Sequence, residues 1–338
     1  MSDYISSLAE FLDPMTPEAF RAEYLHKRPL HVPGRAEKFA STLDWDDINR
    51  MLAMDVWTQQ TLQLHLDTNR VPPAAYCVTA ANRDHQPVLR PDPAKVRELI
   101  GRGATLLLNE IETLAPGVLA LVDTVQRELG AKSSVNLYYS HKERRGFDSH
   151  CDRHDVFAVH LYGSKRWNIY QGQLDRPIEH AMFQNVPQIE YDRRKGEVAE
   201  IVEMNPGDLL YLPRGRFHDA LTSGDVSVHL SVSSNEPLGL DWLTQLWNLA
   251  VRDPEFRTVL PLPDGPSGEQ ALHRHLKHLY ERLGAIAFDA QSLQMASNLR
   301  SGYGIKREPY GLPDLPEAGA GPRPAESASA KTKAARRS

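Results

Sequence analysis

Cysteine is almost missing from this 338-residue chain, with Cys77 and Cys151 its only two. Two thiols cannot build a disulfide framework or a Cys-rich zinc module, so a reducing compartment is expected. Long apolar runs are missing as well. Stretches such as 118–122 fall far short of the roughly 18 residues that span a bilayer. No charged start leads into an apolar stretch, so no secretory signal is expected and the cytoplasm is the default. A surplus of positive charge is lacking too: 39 Lys+Arg stand against 44 Asp+Glu, a formal net charge of −5. That balance excludes a general nucleic-acid binder and leaves no direct nucleic-acid contact expected. What remains is ordinary for a soluble globular protein, 41% hydrophobic and 25% charged, with length for about two domains. Histidine is the plentiful residue: fourteen are present, ample material for a nitrogen-ligated metal.

Residues 1–130 read as an α/β segment. Thr16-Pro17, Asp44 and Asp92-Pro93 each look like the N-cap of a helix. The helix through Val118, Leu121, Val122, Val125 and Leu129 should close at Gly130. Residues 56–66 and 74–80 look extended. From 133 the hydrophobic period changes to two, and short strands are predicted at 133–140, 155–162, 165–170, 199–204, 208–213 and 226–233. So many short strands suggest a closed barrel or sandwich. In the last of them Val226, Val228, Leu230 and Val232 face one way, and Ser227, His229, Ser231 and Ser233 the other. Helical spacing returns at 237–305, with Leu243, Leu246, Trp247 and Ala250 on one predicted helix. A Ser267/Gln270 capping box opens another, which Gly284 should end. Residues 306–338 read as a disordered tail whose last stretch, KTKAARRS, is basic.

Two segments carry chemistry. In GFDSHCDRHD, His150 and Asp152 form an H-x-D pair, and residues i and i+2 of an extended segment point to the same face. Cys151, between them, points away. In GDLLYLPRGRFH, Gly207, Pro213 and Gly215 precede His218 in a turn that brings it to the end of a strand. Two histidines and a carboxylate make the facial triad of non-haem Fe(II), which leaves positions open for substrate and oxygen. His160 and His229 lie on the predicted inner strand faces, either lining a pocket or satisfied within the core. His141 and His154 are assigned to loops, and His273, His275 and His278 to a helix surface.

The order H-x-D, then G-x5-P-x-G-x2-H, resembles the cupin superfamily and its JmjC branch of 2-oxoglutarate oxygenases. HCDRHDVFAVHLYGSKRWNIY and PGDLLYLPRGRFHDA…VHLSVS look most like the ribosomal-oxygenase group and its bacterial relatives. FRAEYLHKRPLHVPG gives a fainter echo near the start. The resemblance implies a mainly β core, a JmjC/cupin double-stranded β-helix over 131–236, followed by a helical region at 237–305 that pairs two copies. The residues after 300 are too few for the winged helix with which many members continue. It implies His150, Asp152 and His218 as metal ligands, and Lys165, in the GSKRW turn, as partner of the distal carboxylate of 2-oxoglutarate. Arg166 alternates to the opposite face. Asn136 and Tyr138 match the N-x-Y positions that line the cosubstrate pocket.

The activity so implied is an Fe(II)- and 2-oxoglutarate-dependent dioxygenase that consumes O2 and hydroxylates a C–H bond of a protein or peptide side chain. If the oxidised carbon were an N-methyl group, the same step would end in demethylation. The competing reading is a non-redox metal-binding cupin, an isomerase or small-molecule binding module, which needs no cation at position 165. Residues 141–149 and 171–198 are the expected rim.

Overall fold

A computed structural model of the chain describes residues 4–81, 84–141, 146–184 and 186–307. In chain order the helices are α1 Leu8–Leu12, α2 Pro17–Glu23, α3 Trp45–Leu52, α4 Pro93–Gly101, α5 Pro116–Leu129, α6 Gln188–Arg194, α7 Gly239–Ala250, α8 Gly265–Ala287 and α9 Ala290–Asn298. The strands are β1 Leu30–Val32, β2 Leu62–Leu66, β3 Asn69–Arg70, β4 Cys77–Ala81, β5 Pro87–Pro91, β6 Thr105–Leu108, β7 Val135–His141, β8 Asp155–Gln173, β9 Val198–Met204, β10 Leu209–Leu212 and β11 Arg216–Ser234.

The predicted caps are in place. The Thr16 hydroxyl accepts from Ala19 N at 3.2 Å, and the Asp92 carboxylate accepts from Ala94 N and Lys95 N, both at 3.0 Å. Each satisfies helix-end amides that have no intrahelical partner. In front of β2, residues 56–61 form turns rather than strand, because Thr58 and Thr61 bond each other and the local backbone. Ahead of β4, Pro73–Ala75 makes a single 3₁₀ turn.

All pairings in the nine-stranded sheet are antiparallel, in the order β1-β10-β8-β11-β7-β6-β2-β3, with β9 also on β8. Its centre is two strands of 19 residues each, where short strands and turns were predicted. The two predicted strands at 155–162 and 165–170 are one, and GSKRW is a kink within it. Gly163 makes the kink, with φ +68° and Val226 O only 1.8 Å from where a Cβ would stand. Opposite it, the register of β11 slips between Thr222 and Ser227. Each long strand thereby serves two ladders. The first half of β8 pairs β10 and the end of β11; the second half pairs β9 and the start of β11. This is the JmjC/cupin architecture, a β core with helices added.

The apolar core lies between this sheet and α1, α2 and α5. Phe11 packs on Phe157 at 5.4 Å, and Phe20 meets Tyr211 edge-on at 4.9 Å. The alternation of β11 holds: Val228, Leu230 and Val232 are fully buried in that core, and His229 and Ser231 line a cavity on the other side. Burying three such side chains contributes on the order of 1.5–3 kcal/mol each.

The C-terminal helices depart from expectation at two points. Ser267 lies inside the first turn of α8, which begins at Gly265 behind Asp264, so it caps nothing. Gly284 does not end α8; no neighbour crowds it, and the helix runs on to Ala287. On α7, Leu246 and Ala250 are buried while Leu243 and Trp247 stay exposed. Residues 308–338, most of the predicted tail, lie outside the described residues.

Candidate metal centre

His150 and His218 are brought side by side by an isolated antiparallel bridge. His150 N donates to His218 O at 2.9 Å, and His218 N to His150 O at 2.8 Å. The turn before His218 depends on Gly215, whose φ is +82° and whose missing Cβ would stand 2.0 Å from Leu174 O. That glycine also ties the turn to the H-x-D segment, donating from its N–H to Asp152 O at 2.8 Å. Helix α6 braces the segment from outside. Lys195 Nζ donates to Ser149 Oγ at 2.9 Å and to Asp192 at 2.7 Å.

The result is a cluster in which one ligand atom each from His150, Asp152 and His218 lies within 4.8 Å of the others. Tautomers follow from the partners. His150 Nδ1 meets Asp148 O at 2.8 Å and His218 Nδ1 meets Arg216 O at 3.0 Å. A carbonyl can only accept, so both protons sit on Nδ1 and both Nε2 lone pairs are free for a metal. Asp152 Oδ2 stands 3.6 Å from His218 Nε2. Burial, and then the neighbouring His150, push the His218 pKa down to about 4, so the imidazole stays neutral, as ligation requires. Burial alone would raise the Asp152 carboxyl, but His218, His150, His154 and Arg153 outweigh it and the net shift is downward. Cys151 does turn away, packing with Tyr170 and Phe217. Burial, with Asp152 next to it, pushes its thiol up to about 12.

The triad opens into a cavity of 280 Å³. Lys165, Tyr138 and His229 line it; Asn136 and His160 do not. The Lys165 ammonium is buried, and its one polar contact among the described residues is Ser140 Oγ at 3.5 Å. Burial pulls its pKa down to about 7. Tyr138 stacks on His229 at 4.8 Å with the rings 9° apart, and burial raises its hydroxyl. Asn136 opposes that shift from behind, while its Oδ1 accepts from Glu110 N at 3.2 Å. His160 is enclosed, with Nε2 3.0 Å from Gly163 O, which fits the core-histidine alternative. Arg166 points outward to Glu203 at 3.2 Å. His141 ends β7 rather than lying in a loop, and His154 lines a different cleft. His273 and His278 are exposed on α8 and His275 half-buried.

Sequence reasoning missed three lining residues. Trp167, 5.6 Å from the His218 ring, was findable, because it alternates with Lys165 on one face. Phe147 follows Gly146 at the head of the H-x-D segment and was passed over as rim. Thr105 comes from β6, where TLLL gives no polar alternation, and its hydroxyl reaches Ser140 Oγ at 3.1 Å. Of the rim at 141–149, positions 142–145 lie outside the described residues.

Residues 107–241 match the family described as JmjC domain. The chain is 29% identical over 261 residues to "Ribosomal oxygenase 1" of Gallus gallus, covering 74% of this chain and 41% of that protein. It is 26% identical over 234 residues to "Bifunctional lysine-specific demethylase and histidyl-hydroxylase NO66" of Drosophila persimilis, covering 68% of this chain and 31% of that one. It therefore spans well under half the length of these two curated relatives. Among solved structures, the Escherichia coli ribosomal oxygenase YcfD in complex with cobalt and 2-oxoglutarate aligns with a TM-score of 0.50. That alignment has 16% identity and covers 86% of this chain and 72% of YcfD.

Proposed function

We propose that this chain, which carries a JmjC domain over residues 107–241, is an Fe(II)- and 2-oxoglutarate-dependent oxygenase. Its reaction would hydroxylate a C–H bond on a protein or peptide side chain. The observation that carries the reading is Lys165, a buried ammonium in the same cavity as the triad with no carboxylate partner among the described residues. A buried unpaired charge is costly unless a ligand completes it, and a dicarboxylate chelating the metal at one end would present its other end there. A non-redox cupin has no use for that cation. Demethylation differs only in which carbon is oxidised, and one relative carries both activities in its name.

In this reading His150 and His218 hold iron through Nε2 and Asp152 through its carboxylate, while the Asp148 and Arg216 carbonyls fix both imidazoles in register. Iron with 2-oxoglutarate and O2 supplies the oxidising chemistry, with succinate and CO2 as co-products. Lys165 anchors the distal carboxylate, and the stacked Tyr138 and His229 rings form the wall beside it. Phe147 and Trp167 narrow the water space around the reacting carbon. Asn136 and His160 act from behind that wall.

Residues 131–236 form the barrel in this reading, 1–130 an α/β segment packed on it, and 306–338 a basic-ended tail. Region 237–305 pairs two copies through exposed Leu243, Trp247 and Val251 of the α7 face. No described helix is long and apolar enough to cross a membrane. Two free, buried cysteines suit a reducing, cytoplasmic setting.

The test is direct. Purified protein with Fe(II), ascorbate and 2-oxoglutarate under air should form succinate slowly without added substrate, and His150→Ala should abolish it together with Co(II) binding. Wild-type protein that binds Co(II) through the triad yet forms no succinate would move the assignment to the non-redox cupin.

A further inference from the structure

Residues 152–156 form a wall with two sides. Asp152 and Val156 line the triad cavity, whereas Arg153, His154 and Asp155 line a separate cleft of 530 Å³. Arg214, in the turn before His218, borders the same cleft. The walls are joined: Arg214 N donates to Asp155 Oδ1 at 2.9 Å, beside the bond from Gly215 N to Asp152 O. A group bound in the cleft would therefore rest on the backbone that positions Asp152 and His218.

The charges of the cleft balance in number but are not all paired. Arg153 Nε is held by Glu179 at 2.6 Å. His26 sits between Asp155 at 2.8 Å and Glu236 at 3.1 Å, and Arg300 pairs with the far oxygen of Glu236. Asp241 accepts from Leu238 N at 2.6 Å and from the Tyr303 hydroxyl at 3.3 Å. Every carboxylate in the cleft thus has an ion-pair or hydrogen-bond partner. His154 makes no ion pair among the described residues but lies in the field of Asp152 and Glu179. The Arg214 guanidinium has neither ion pair nor hydrogen bond among the described residues. Asp175, which shares an adjoining depression with it, is paired to Arg176 at 3.1 Å. Asp241 is met by neutral donors, whereas the Arg214 guanidinium is met by nothing among the described residues, so the partner it lacks is an acceptor, best an anion.

We infer that the protein substrate docks in this cleft, and that Arg214 receives the carboxylate of an Asp or Glu close in sequence to the side chain being oxidised. The inference rests on the oxygenase reading above and names its substrate class, an acidic peptide segment. A guanidinium fork matches a carboxylate in two parallel hydrogen bonds. A nucleic-acid backbone fits poorly, since it needs a run of cations, and among the described residues the unpaired Arg214 stands beside Glu179, Glu236 and Asp241.

The experiment uses the full chain loaded with Co(II) and fluorescence anisotropy at low salt. The probes are short labelled peptides carrying a Glu pair, the isosteric Gln pair or phosphoserine, and a single-stranded RNA of similar length. The Glu peptide should bind about fivefold tighter than the Gln peptide, a margin near 1 kcal/mol. Arg214→Gln should erase that margin and Arg214→Lys keep part of it. Co(II) absorption and thermal midpoint report whether each variant is folded; if Arg214→Gln is not, Arg214→Lys and the wild-type Glu/Gln comparison decide. Equal binding of Glu and Gln peptides, an undiminished margin in folded Arg214→Gln, or tighter binding of RNA or phosphopeptide would each overturn the inference. Peptide-free succinate formation separates the two readings: its presence without the Glu margin removes only the docking site, whereas a Glu margin without succinate removes the oxygenase, and with it the peptide's role as substrate.

Discussion

Strand β8 carries two buried charges that are built in opposite ways. Asp155, at its start, is saturated: Tyr211 donates its hydroxyl at 2.5 Å, Arg214 its backbone N–H at 2.9 Å and His26 its Nδ1–H at 2.8 Å. Those partners come from β10, from the turn before β11 and from the turn after α2, so the carboxylate is a joint between distant parts of the chain. Lys165, ten residues on, has one hydroxyl at 3.5 Å and no anion among the described residues. Its burial costs stability without a compensating bond in the fold, which is why its pKa falls to about 7. Charge is satisfied where it serves architecture and left unsatisfied in the cavity proposed to take the cosubstrate.

Removing the saturated charge should have the largest effect. Asp155→Ala leaves His26, Tyr211 and the Arg214 amide without their acceptor, and breaking a buried pair in this way typically costs about 3–5 kcal/mol. Denaturant unfolding of the two proteins would measure it. A loss below about 1 kcal/mol would mean that the junction is not the joint described.

The unsatisfied charge should respond with the opposite sign. Lys165→Met removes a buried cation and keeps its volume, so the free protein should gain stability, by about 1–3 kcal/mol. The same change should weaken 2-oxoglutarate by about 2–5 kcal/mol, the usual cost of deleting one partner of a buried charge pair. Calorimetry on the metal-loaded variant reads both quantities. Destabilisation together with unchanged affinity would place Lys165 with Asp155, as an architectural charge.

A smaller effect separates the sites by pH. A carboxylate ligand needs Lys165 protonated, and in the free protein it loses its proton around pH 7. Below that value 2-oxoglutarate affinity should be flat. Above it, binding must take up a proton, and affinity should fall by up to about tenfold per pH unit. Proton uptake, seen as a buffer-dependent binding enthalpy at pH 8, is the check; its absence would mean that Lys165 is already charged at that pH.

The sequence made these two sites unequally legible. His150 and Asp152 converge by strand alternation alone, and Gly215 with His218 lies in one short motif, so local rules suffice. Lys165 was reached through family resemblance, since a lysine in GSKRW otherwise reads as a solvated turn. What made it buried was Gly163, which converts that turn into a kink and sends 165 and 167 inward. The Asp155 joint left no local trace, because its partners Tyr211, Arg214 and His26 lie 56, 59 and 129 residues from it in sequence and share no motif with it. Thr105 was invisible for a related reason: the apolar run around it carries no alternation, and only pairing of β6 with β7 brings it to the cavity. The N-caps of α2, α3 and α4 were readable from single residues. Ser267 was misread because a serine three residues before Gln fits a capping box equally well inside a first turn.

His26 offers the finest test of the contrast, because among the partners of the joint its charge changes between mildly acidic and mildly basic pH. Hydrogen bonds first to Asp155 and then to Glu236 raise its pKa to about 9, against a partial loss from burial. A group whose folded pKa is raised lends stability that is complete below its unfolded value of about 6.5 and lost as pH rises through the folded one. With its side chain 46% exposed, solvent screening reduces the contribution to about 1 kcal/mol. His26→Gln should therefore lower the thermal midpoint at pH 6, with the gap to wild type narrowing between pH 6.5 and 9 and nearly closed at 9.5. Lys165→Met should give a gap of opposite sign, with the variant the more stable, largest below pH 7 where the buried lysine is charged and shrinking as pH rises above it. A gap for His26→Gln that widened with pH would reverse the assignment and leave Asp155 as poorly matched as Lys165.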